Sequence, residues 1–209
     1  MNEQFIPVFV NASNLRVIVF GGGNVALRKC KYFRSSKITV MSKNILPELE
    51  ELASEIIVEE IPADVKQMIK PYNIVIAATD DKAINDSIRD DALSVGVGVN
   101  SAHGGGNVLI PSVLRRGSYT VAVSSEGRVP IFPPYVVKRL DTLLGREYDC
   151  MLDLMIEMRD RAKREFKSQS QRSEFLKSII YDEKIQFLVN NGYIEEARVA
   201  ALKKGGFVC

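Results

Sequence analysis

An α/β fold with a doubly wound parallel sheet is predicted for the first half of the chain, and three observations support it. Short apolar runs alternate with stretches of helical periodicity over roughly the first 100 residues. Residues 73–78 are nearly all apolar, which is typical of a strand covered on both faces. The apolar run 17–20 stops at three glycines and is followed by a helical pattern. Strands separated by helices of this length are joined by right-handed crossovers, which build such a sheet.

The individual elements of this first half follow from their apolar patterns and turn residues. The predicted strands cover residues 7–10, 17–20, 37–41, 56–58, 73–78 and 97–100. One helix is predicted from the glycines to about Phe33, and a second is opened by Pro47 and the acidic run 48–55. A third extends to about Ser94 from Asp80-Asp81, a pair that we interpret as a helix cap, with a catalytic carboxylate pair as the alternative.

The pattern changes around Pro111. Residues 118–125 predict a strand, and a helix with apolar residues at helical spacing follows Pro133-Pro134 and ends at Gly145. From residue 147 onward only helical periods occur, interrupted by a polar link at 167–171. The methionines of this part are interpreted as core or dimer packing, not as a cofactor site.

The turn after the strand 17–20 contains Gly21, Gly22 and Gly23, with Ala26 three residues later. This spacing fits the G-x-G-x-x-G/A pattern, in which the first glycine permits a tight turn and the second lets the backbone approach phosphate oxygens. The N-terminus of the following helix offers N–H groups and a positive dipole end to an anion. The pattern therefore predicts a dinucleotide site, with an ordinary strand-to-helix turn as the alternative.

Composition excludes several other classes of protein. A net charge of +2 with 26% charged residues does not indicate a nucleic-acid-binding protein. No apolar run approaches the ~20 residues of a membrane span, and residues 1–4 lack signal-peptide order, so we expect a cytoplasmic protein. Cys30, Cys150 and Cys209 are expected to be reduced thiols. One histidine and no close cysteine pair argue against a zinc site, and no metal site is predicted.

An ordered series of motifs resembles the precorrin-2 dehydrogenases of the siroheme-synthase N-terminal type, some of which are also sirohydrochlorin ferrochelatases. The resemblance covers essentially the whole chain. The motifs that carry it are residues 5–9, the glycine turn and helix start 21–29, residues 77–81 with Asn85, Asn100, residues 110–112 and residues 121–125.

The resemblance implies a homodimer built from three parts. These are a Rossmann-like NAD-binding domain over residues 1–111, a small α+β dimerisation region over 112–146 and a helical C-terminal domain over 147–209. It also implies the oxidation of precorrin-2 to sirohydrochlorin with NAD⁺ as hydride acceptor. In that family the cofactor is held at positions that match Asn24, Val25, Lys43 and Asn44. The predicted cofactor-binding set is completed by Gly21, Gly22, Gly23, Thr79 and Asn100.

The chain departs from the family pattern at its one histidine. Many members carry Asn-x-x-Asp where this chain has Asn100-Ser101-Ala102-His103, and the family's Thr-Ser-Pro is Arg128-Val129-Pro130 here. We predict His103 as the catalytic residue, because imidazole can accept a proton near neutral pH at the carboxyl end of a strand. A solvent-exposed or capping histidine is the alternative. Without the family aspartate, we expect weak or no ferrochelatase activity.

The substrate implied by the resemblance carries eight carboxylates, which cations and hydroxyls would bind. The predicted substrate-binding residues are Ser124, Ser125, Arg115, Arg116 and Arg128, with Lys138, Arg139 and Arg146 as further cations nearby in the sequence. The alternatives are serines that close a turn and basic residues that are solvated.

Two questions stay open at this point. The second predicted strand is followed by Ser42 and Lys43 in place of the acidic residue that usually binds the ribose of NAD, so NADP is an alternative cofactor. The second question is the class of protein. A ligand-sensing nucleotide-binding regulatory module, such as a transporter domain or a redox-sensing repressor, is the alternative to an enzyme. A chelatase that has lost its cofactor is disfavoured by the intact glycines.

Overall fold

The computed structural model describes residues 5–207, which form two compact units. The first unit runs to Ile110 and includes Glu126–Arg128, and the second comprises Pro111–Ser125 and the chain from Val129 onward. Two expectations depend on residues outside the described range. The absence of signal-peptide order is read from residues 1–4, and the third reduced thiol is Cys209. The subdivision of the later part into a dimerisation region and a helical domain stays a prediction.

The described residues of the first unit contain a five-stranded parallel sheet in the order β3-β2-β1-β4-β5. The strands are β1 (Arg16–Phe20), β2 (Lys37–Met41), β3 (Glu55–Ile57), β4 (Ile74–Ala77) and β5 (Gly98–Ser101). The connecting helices are α1 (Asn24–Tyr32), α2 (Pro47–Glu50), α3 (Lys66–Ile69) and α4 (Lys82–Ser94). This is the predicted doubly wound, Rossmann-like architecture, in which the direction of winding reverses between β1 and β4.

Burial on both faces explains why the central strands are apolar without alternation. Val17 to Phe20 in β1 are fully buried, and one cluster of side chains joins Val17 and Val19 to α1 and α2. The side chains of Ile18 and Phe20 point into a second cluster with α4 and the segment around Ile69. Each face of the sheet therefore has its own core, and the carboxyl ends of β1 and β4 are held in register between them.

Three details of the first unit differ from the sequence prediction. Residues 7–10 form no strand, because they pair with no strand of the described chain and their side chains are exposed. The helix that begins at Pro47 has only four residues. The Ala53 amide donates a last hydrogen bond to the Leu49 carbonyl, and the chain then enters β3 at Glu55. The short helix α3 has no strong periodic pattern and was not predicted.

The second unit combines a hairpin with a helical layer. Strands β6 (Ser112–Arg115) and β7 (Thr120–Val123) pair antiparallel, and α5 (Phe132–Leu143) follows them. The remaining helices share one apolar core: α6 (Arg146–Glu165), α7 (Gln169–Ile180), α8 (Glu183–Asn190) and α9 (Ile194–Lys204). The β6 strand was not predicted. The polar link 167–171 is mostly the start of α7, where Ser168 and Gln171 form a reciprocal capping box.

Two further observations concern the whole described chain. Between residues 5 and 207 no helix is both long and apolar enough to cross a lipid bilayer. Cys30 is buried and Cys150 is half-buried, and both are free thiols. Burial raises the pKa of the Cys30 thiol to about 11, which keeps this thiol protonated near neutral pH.

Candidate functional site

The glycine turn lies where β1 and β4 end side by side. Gly21 has φ +116°, a backbone conformation that side chains rarely adopt, and a Cβ there would overlap the Ala78 carbonyl oxygen after β4. Its amide donates to the Met41 carbonyl at the end of β2, at 2.9 Å. The turn is therefore enclosed by the carboxyl ends of three neighbouring strands, at the reversal of winding where open α/β sheets bind ligands.

The next two glycines have different surroundings. A Cβ on Gly22 would overlap the carbonyl oxygen of Asn44, whereas a Cβ on Gly23 would meet nothing within 4 Å. The Leu46 amide donates to the Gly22 carbonyl at 3.0 Å, so the segment after β2 is fastened across the turn. Gly22 permits that close approach, and the space beside Gly23 stays open toward the start of α1.

The N-terminus of α1 is available to an anion. Gly23 is the N-cap residue and carries no side chain to cap the helix. The first amides of a helix, here those of Asn24, Val25 and Ala26, have no intrahelical acceptor. They add N–H donors and a positive dipole end beside the open space at Gly23. These residues fit a dinucleotide pyrophosphate, and the glycines and Asn44 of the predicted cofactor set lie together.

Lys43, on the segment after β2, forms an ion pair with Glu60 from the loop after β3. The hydrogen bond and the charge of Lys43 lower the pKa of the Glu60 carboxyl group. Both side chains are exposed. An acidic side chain therefore lies next to Lys43 although the residues at the end of β2 include none. Sequence reasoning missed this pair because ion pairing between two loops leaves no local pattern.

A hydrogen-bonded group follows β4. The Asn85 side chain is fully buried, and its Oδ1 accepts from the Thr79 amide at 3.0 Å. Its Nδ2 donates to the Thr79 carbonyl at 2.9 Å and lies 2.9 Å from Nδ1 of His103. Thr79 and His103, predicted separately from the sequence, are therefore joined through a residue to which no role was assigned.

Asp81 is the N-cap of α4, as the capping interpretation predicted. Its Oδ1 accepts from the amides of Ala83 and Ile84 at 2.7 and 3.2 Å. The cap also sets the position of Asn85, whose amide donates to the Asp81 carbonyl at 3.1 Å. The aspartate therefore helps to hold Asn85 in position.

Asn100 near the end of β5 is buried, and both the oxygen and the nitrogen of its side-chain amide form hydrogen bonds. Its Oδ1 accepts from the ammonium group of Lys29 on α1, and its Nδ2 donates to the Val108 carbonyl at 2.8 Å. The loop from β5 is also tied back by Asn107, whose Oδ1 accepts from the Val99 amide at 2.7 Å. Asn100 therefore connects α1, β5 and the loop that carries His103.

Burial and the neighbouring Arg28 lower the pKa of Lys29 from 10.5 to about 8. The unfolded chain then holds a proton between pH 8 and 10.5 that the folded chain has released, so the stability contributed by this group rises with pH across that window. We expect the free energy of unfolding of the wild type, measured in urea relative to Lys29→Met, to increase by about 1–2 kcal/mol from pH 7 to 10, since partial solvent access reduces the full effect. Lys31→Met, on the exposed side of α1, is the control, and parallel curves for wild type and Lys29→Met would contradict the assignment.

The half-buried position of Lys29 was detectable in the sequence. Lys29 follows Ala26 by three residues and precedes Phe33 by four, so it shares the helix face that packs on the sheet. The role of Asn85 had a weaker signal: this buried residue lies in the first turn of α4, four residues after the N-cap Asp81. Both residues are additions to the predicted site.

The predicted substrate-binding residues lie at or just after the end of β6 and in the turn that follows β7. Arg116 donates to the Asp141 and Leu144 carbonyls at 3.0 and 3.2 Å at the end of α5, and it pairs with the Asp141 carboxylate. Ser125 donates to the Val129 carbonyl and accepts from the Val129 amide, which closes a turn. Arg128 pairs with Glu126. Arg115 and Ser124 lie at and just after strand ends in the second unit. Substrate binding by these five residues stays a prediction.

Among residues 5–207, no three His, Cys, Asp or Glu side chains lie close enough together to hold a metal ion. The first unit instead offers three features at one edge of its sheet: the uncapped start of α1, the Lys43–Glu60 ion pair and the imidazole of His103.

The chain is similar over nearly its whole length to a precorrin-2 dehydrogenase and to part of several siroheme synthases. It is 29% identical over 208 residues to the precorrin-2 dehydrogenase of Methanosarcina barkeri, covering 95% of this chain and 91% of that protein. It is 31% identical to the siroheme synthase of Nitrosococcus oceani, covering 98% of this chain and 45% of that protein. The chain thus spans less than half of the siroheme synthases it matches.

Structure and family comparisons agree with the geometry. The solved structure of SirC, a precorrin-2 dehydrogenase, has a TM-score of 0.73 and 22% identity, covering 94% of this chain and all of that one, which supports the fold. The family model for putative NAD(P)-binding proteins matches residues 8–112, just over half of the 209 residues. The matched segment contains the glycine turn, the Thr79–Asn85–His103 group and the Lys43–Glu60 pair. The chain belongs to this putative NAD(P)-binding family.

Proposed function

We propose that the chain is a precorrin-2 dehydrogenase that oxidises precorrin-2 to sirohydrochlorin with NAD⁺. The observation that carries this proposal is the uncapped start of α1 beside the open space at Gly23, at the same sheet edge as His103. The near full-length similarity to a precorrin-2 dehydrogenase supports the choice of substrate. An enzyme is favoured over a regulatory module, because the relatives found are named for their catalytic activities.

The residues that would hold NAD⁺ follow from the site. The amides of Asn24 and Val25 would bind the pyrophosphate, and the segment with Lys43 and Asn44 would border the adenosine ribose. Thr79 and Asn100 would lie toward the other end of the dinucleotide, at the ends of β4 and β5. When bound, NAD⁺ accepts a hydride on its nicotinamide ring. The oxidation then yields sirohydrochlorin, NADH and a proton.

Anaerobic incubation of the purified chain with precorrin-2 and NAD⁺ tests this proposal. We expect the spectrum of precorrin-2 to convert to that of sirohydrochlorin while one NADH appears for each molecule converted. The same incubation without nucleotide is the control for spontaneous oxidation. Folded protein that binds NAD⁺ and forms no NADH with precorrin-2 would contradict the proposed activity.

Nucleotide choice is expected to depend on Glu60. Because its carboxylate neutralises Lys43 and would repel a 2′-phosphate, NAD⁺ should support turnover better than NADP⁺. Glu60→Gln leaves Lys43 unpaired, so the KM for NADP⁺ should fall about three- to tenfold, a modest effect because exposed charges are screened. The neighbouring Glu59, which forms no ion pair within the described residues, gives the control Glu59→Gln. A wild type that prefers NADP⁺ would overturn this assignment.

The proposal also includes a homodimer and little ferrochelatase activity. A second copy of the chain would cover apolar side chains that one protomer exposes at the start and end of α5, among them Phe132, Tyr135 and Leu143. For chelation, the family aspartate is replaced by His103, which lacks a negative charge to attract a metal cation to the macrocycle.

A further inference from the structure

We infer that Asn85 is a positioning residue that holds His103 as a hydrogen-bond donor toward the bound ligand, through Nε2–H. The inference deepens the proposed function, on which its kinetic test depends, and it changes the role expected of His103. The imidazole would recognise an oxygen acceptor and would not act as the proton acceptor considered from the sequence.

The orientation of the Asn85 amide is set by backbone groups. The Thr79 N–H can only donate and the Thr79 C=O can only accept, and both are bound to Asn85, at 3.0 and 2.9 Å. Turning the amide by 180° would place the Asn85 NH₂ group against an N–H and its oxygen against a carbonyl oxygen. Because the side chain is fully buried, water cannot compensate for either conflict.

This orientation determines which nitrogen of His103 carries the proton. One hydrogen of the Asn85 NH₂ group is used by the Thr79 carbonyl, and the other lies toward Nδ1 of His103 at 2.9 Å. Nδ1 must then accept, so the neutral ring carries its hydrogen on Nε2. In the described part of the chain no group accepts from Nε2, and His103 is exposed.

The backbone holds the ring in this position. The Ala102 amide donates to the Ala77 carbonyl at 2.8 Å, and the His103 amide donates to the Ser101 hydroxyl at 3.3 Å. His103 thus begins its loop from a fixed point at the end of β5. The partner that fits an outward N–H here is a carboxylate of precorrin-2 or the carboxamide oxygen of NAD⁺, which share the same acceptor chemistry.

Nitrogen NMR on protein labelled with [¹⁵N]histidine tests the placement directly. In a chain without a histidine tag, His103 is the one histidine and gives one pair of ring-nitrogen signals. At a pH where the ring is neutral, we expect a protonated Nε2 and an unprotonated Nδ1. Asn85→Asp should reverse the two signals, since a carboxylate accepts from Nδ1–H. A neutral wild-type ring protonated on Nδ1 would overturn the inference whatever the substrate is.

Two isosteric variants test the role in the reaction, and they do not require Asn85 to be changed. In His103→Gln the carbonyl oxygen can accept from Asn85 while the NH₂ group donates outward, whereas His103→Glu offers acceptors only. We expect kcat/KM for precorrin-2 to stay within about fivefold of wild type in the glutamine variant and to fall about tenfold or more in the glutamate variant. A glutamate variant as active as the glutamine variant would overturn the donor role.

Titration of both variants with NAD⁺ alone identifies the source of the acceptor. A dissociation constant that is unchanged in His103→Glu places the acceptor on precorrin-2, and a weaker one places it on the nicotinamide carboxamide. If wild type bound NAD⁺ but failed to oxidise precorrin-2, the proposed function would fail while the NMR result on His103 stood.

Discussion

Gly23→Asp is expected to abolish NAD⁺ binding while the fold becomes slightly more stable. The space beside Gly23 is open, so an aspartate fits there, and its carboxylate can cap the free amides at the start of α1. Such a cap stabilises a helix by about 0.5–1 kcal/mol. The same carboxylate occupies the pyrophosphate donors and repels the anion, so the dissociation constant should rise at least about 100-fold.

Calorimetric titration with NAD⁺ and thermal unfolding without ligand measure the two effects separately. Gly23→Asn separates size from charge, because asparagine caps the helix without repelling phosphate, and it should bind NAD⁺ with intermediate affinity. Gly23→Ala adds only a methyl group. If Gly23→Asp bound NAD⁺ as tightly as wild type, the pyrophosphate would not lie at this helix.

Gly22→Ala is expected to destabilise the fold, in contrast to the small gain in stability expected of Gly23→Asp. Its Cβ would overlap the carbonyl oxygen of Asn44 and lie 2.9 Å from Cα of Ile45, both of them backbone atoms. The segment can move away only by giving up the hydrogen bond from the Leu46 amide to Gly22. We expect a destabilisation of about 3 kcal/mol or more in urea unfolding, within the range of severe packing and backbone changes.

The adjacent Gly23→Ala is the matched control for that experiment. It introduces the same methyl group one residue later, where nothing lies within 4 Å, and should cost no more than about 1 kcal/mol. Equal losses of stability at the two positions would mean that the segment after β2 does not pack across the glycine turn.

The sheet and the glycine turn were predictable because they depend on local patterns. Buried parallel strands are continuously apolar, and the turn from β1 into α1 needs glycine at fixed spacing, so both are visible in the sequence. The segment 7–10 has the same apolar character without a strand, because the pattern does not show whether a partner strand is present. The predicted helix after Pro47 was too long because the pairing of Glu55–Ile57 with β2 begins β3 there, and the apolar pattern does not show this pairing.

For the site, the sequence predicted which residues lie at the ends of neighbouring strands but not the contacts between their side chains. Thr79, Asn100 and His103 follow or end neighbouring strands, so topology brings them to one edge of the sheet. The contacts that give them their chemistry are long-range: Asn85 to His103, Lys29 to Asn100 and Glu60 to Lys43. Such pairs depend on side-chain direction between separate elements, and one sequence does not encode that direction in a local pattern.

The most direct test of dinucleotide binding at the start of α1 is a crystal structure of the chain with NAD⁺ bound. We expect the pyrophosphate oxygens within hydrogen-bond distance of the Asn24 and Val25 amides, with the ribose next to Ser42–Asn44 and the nicotinamide on the β4–β5 side. NAD⁺ bound elsewhere, with the helix start and the space beside Gly23 empty, would contradict it.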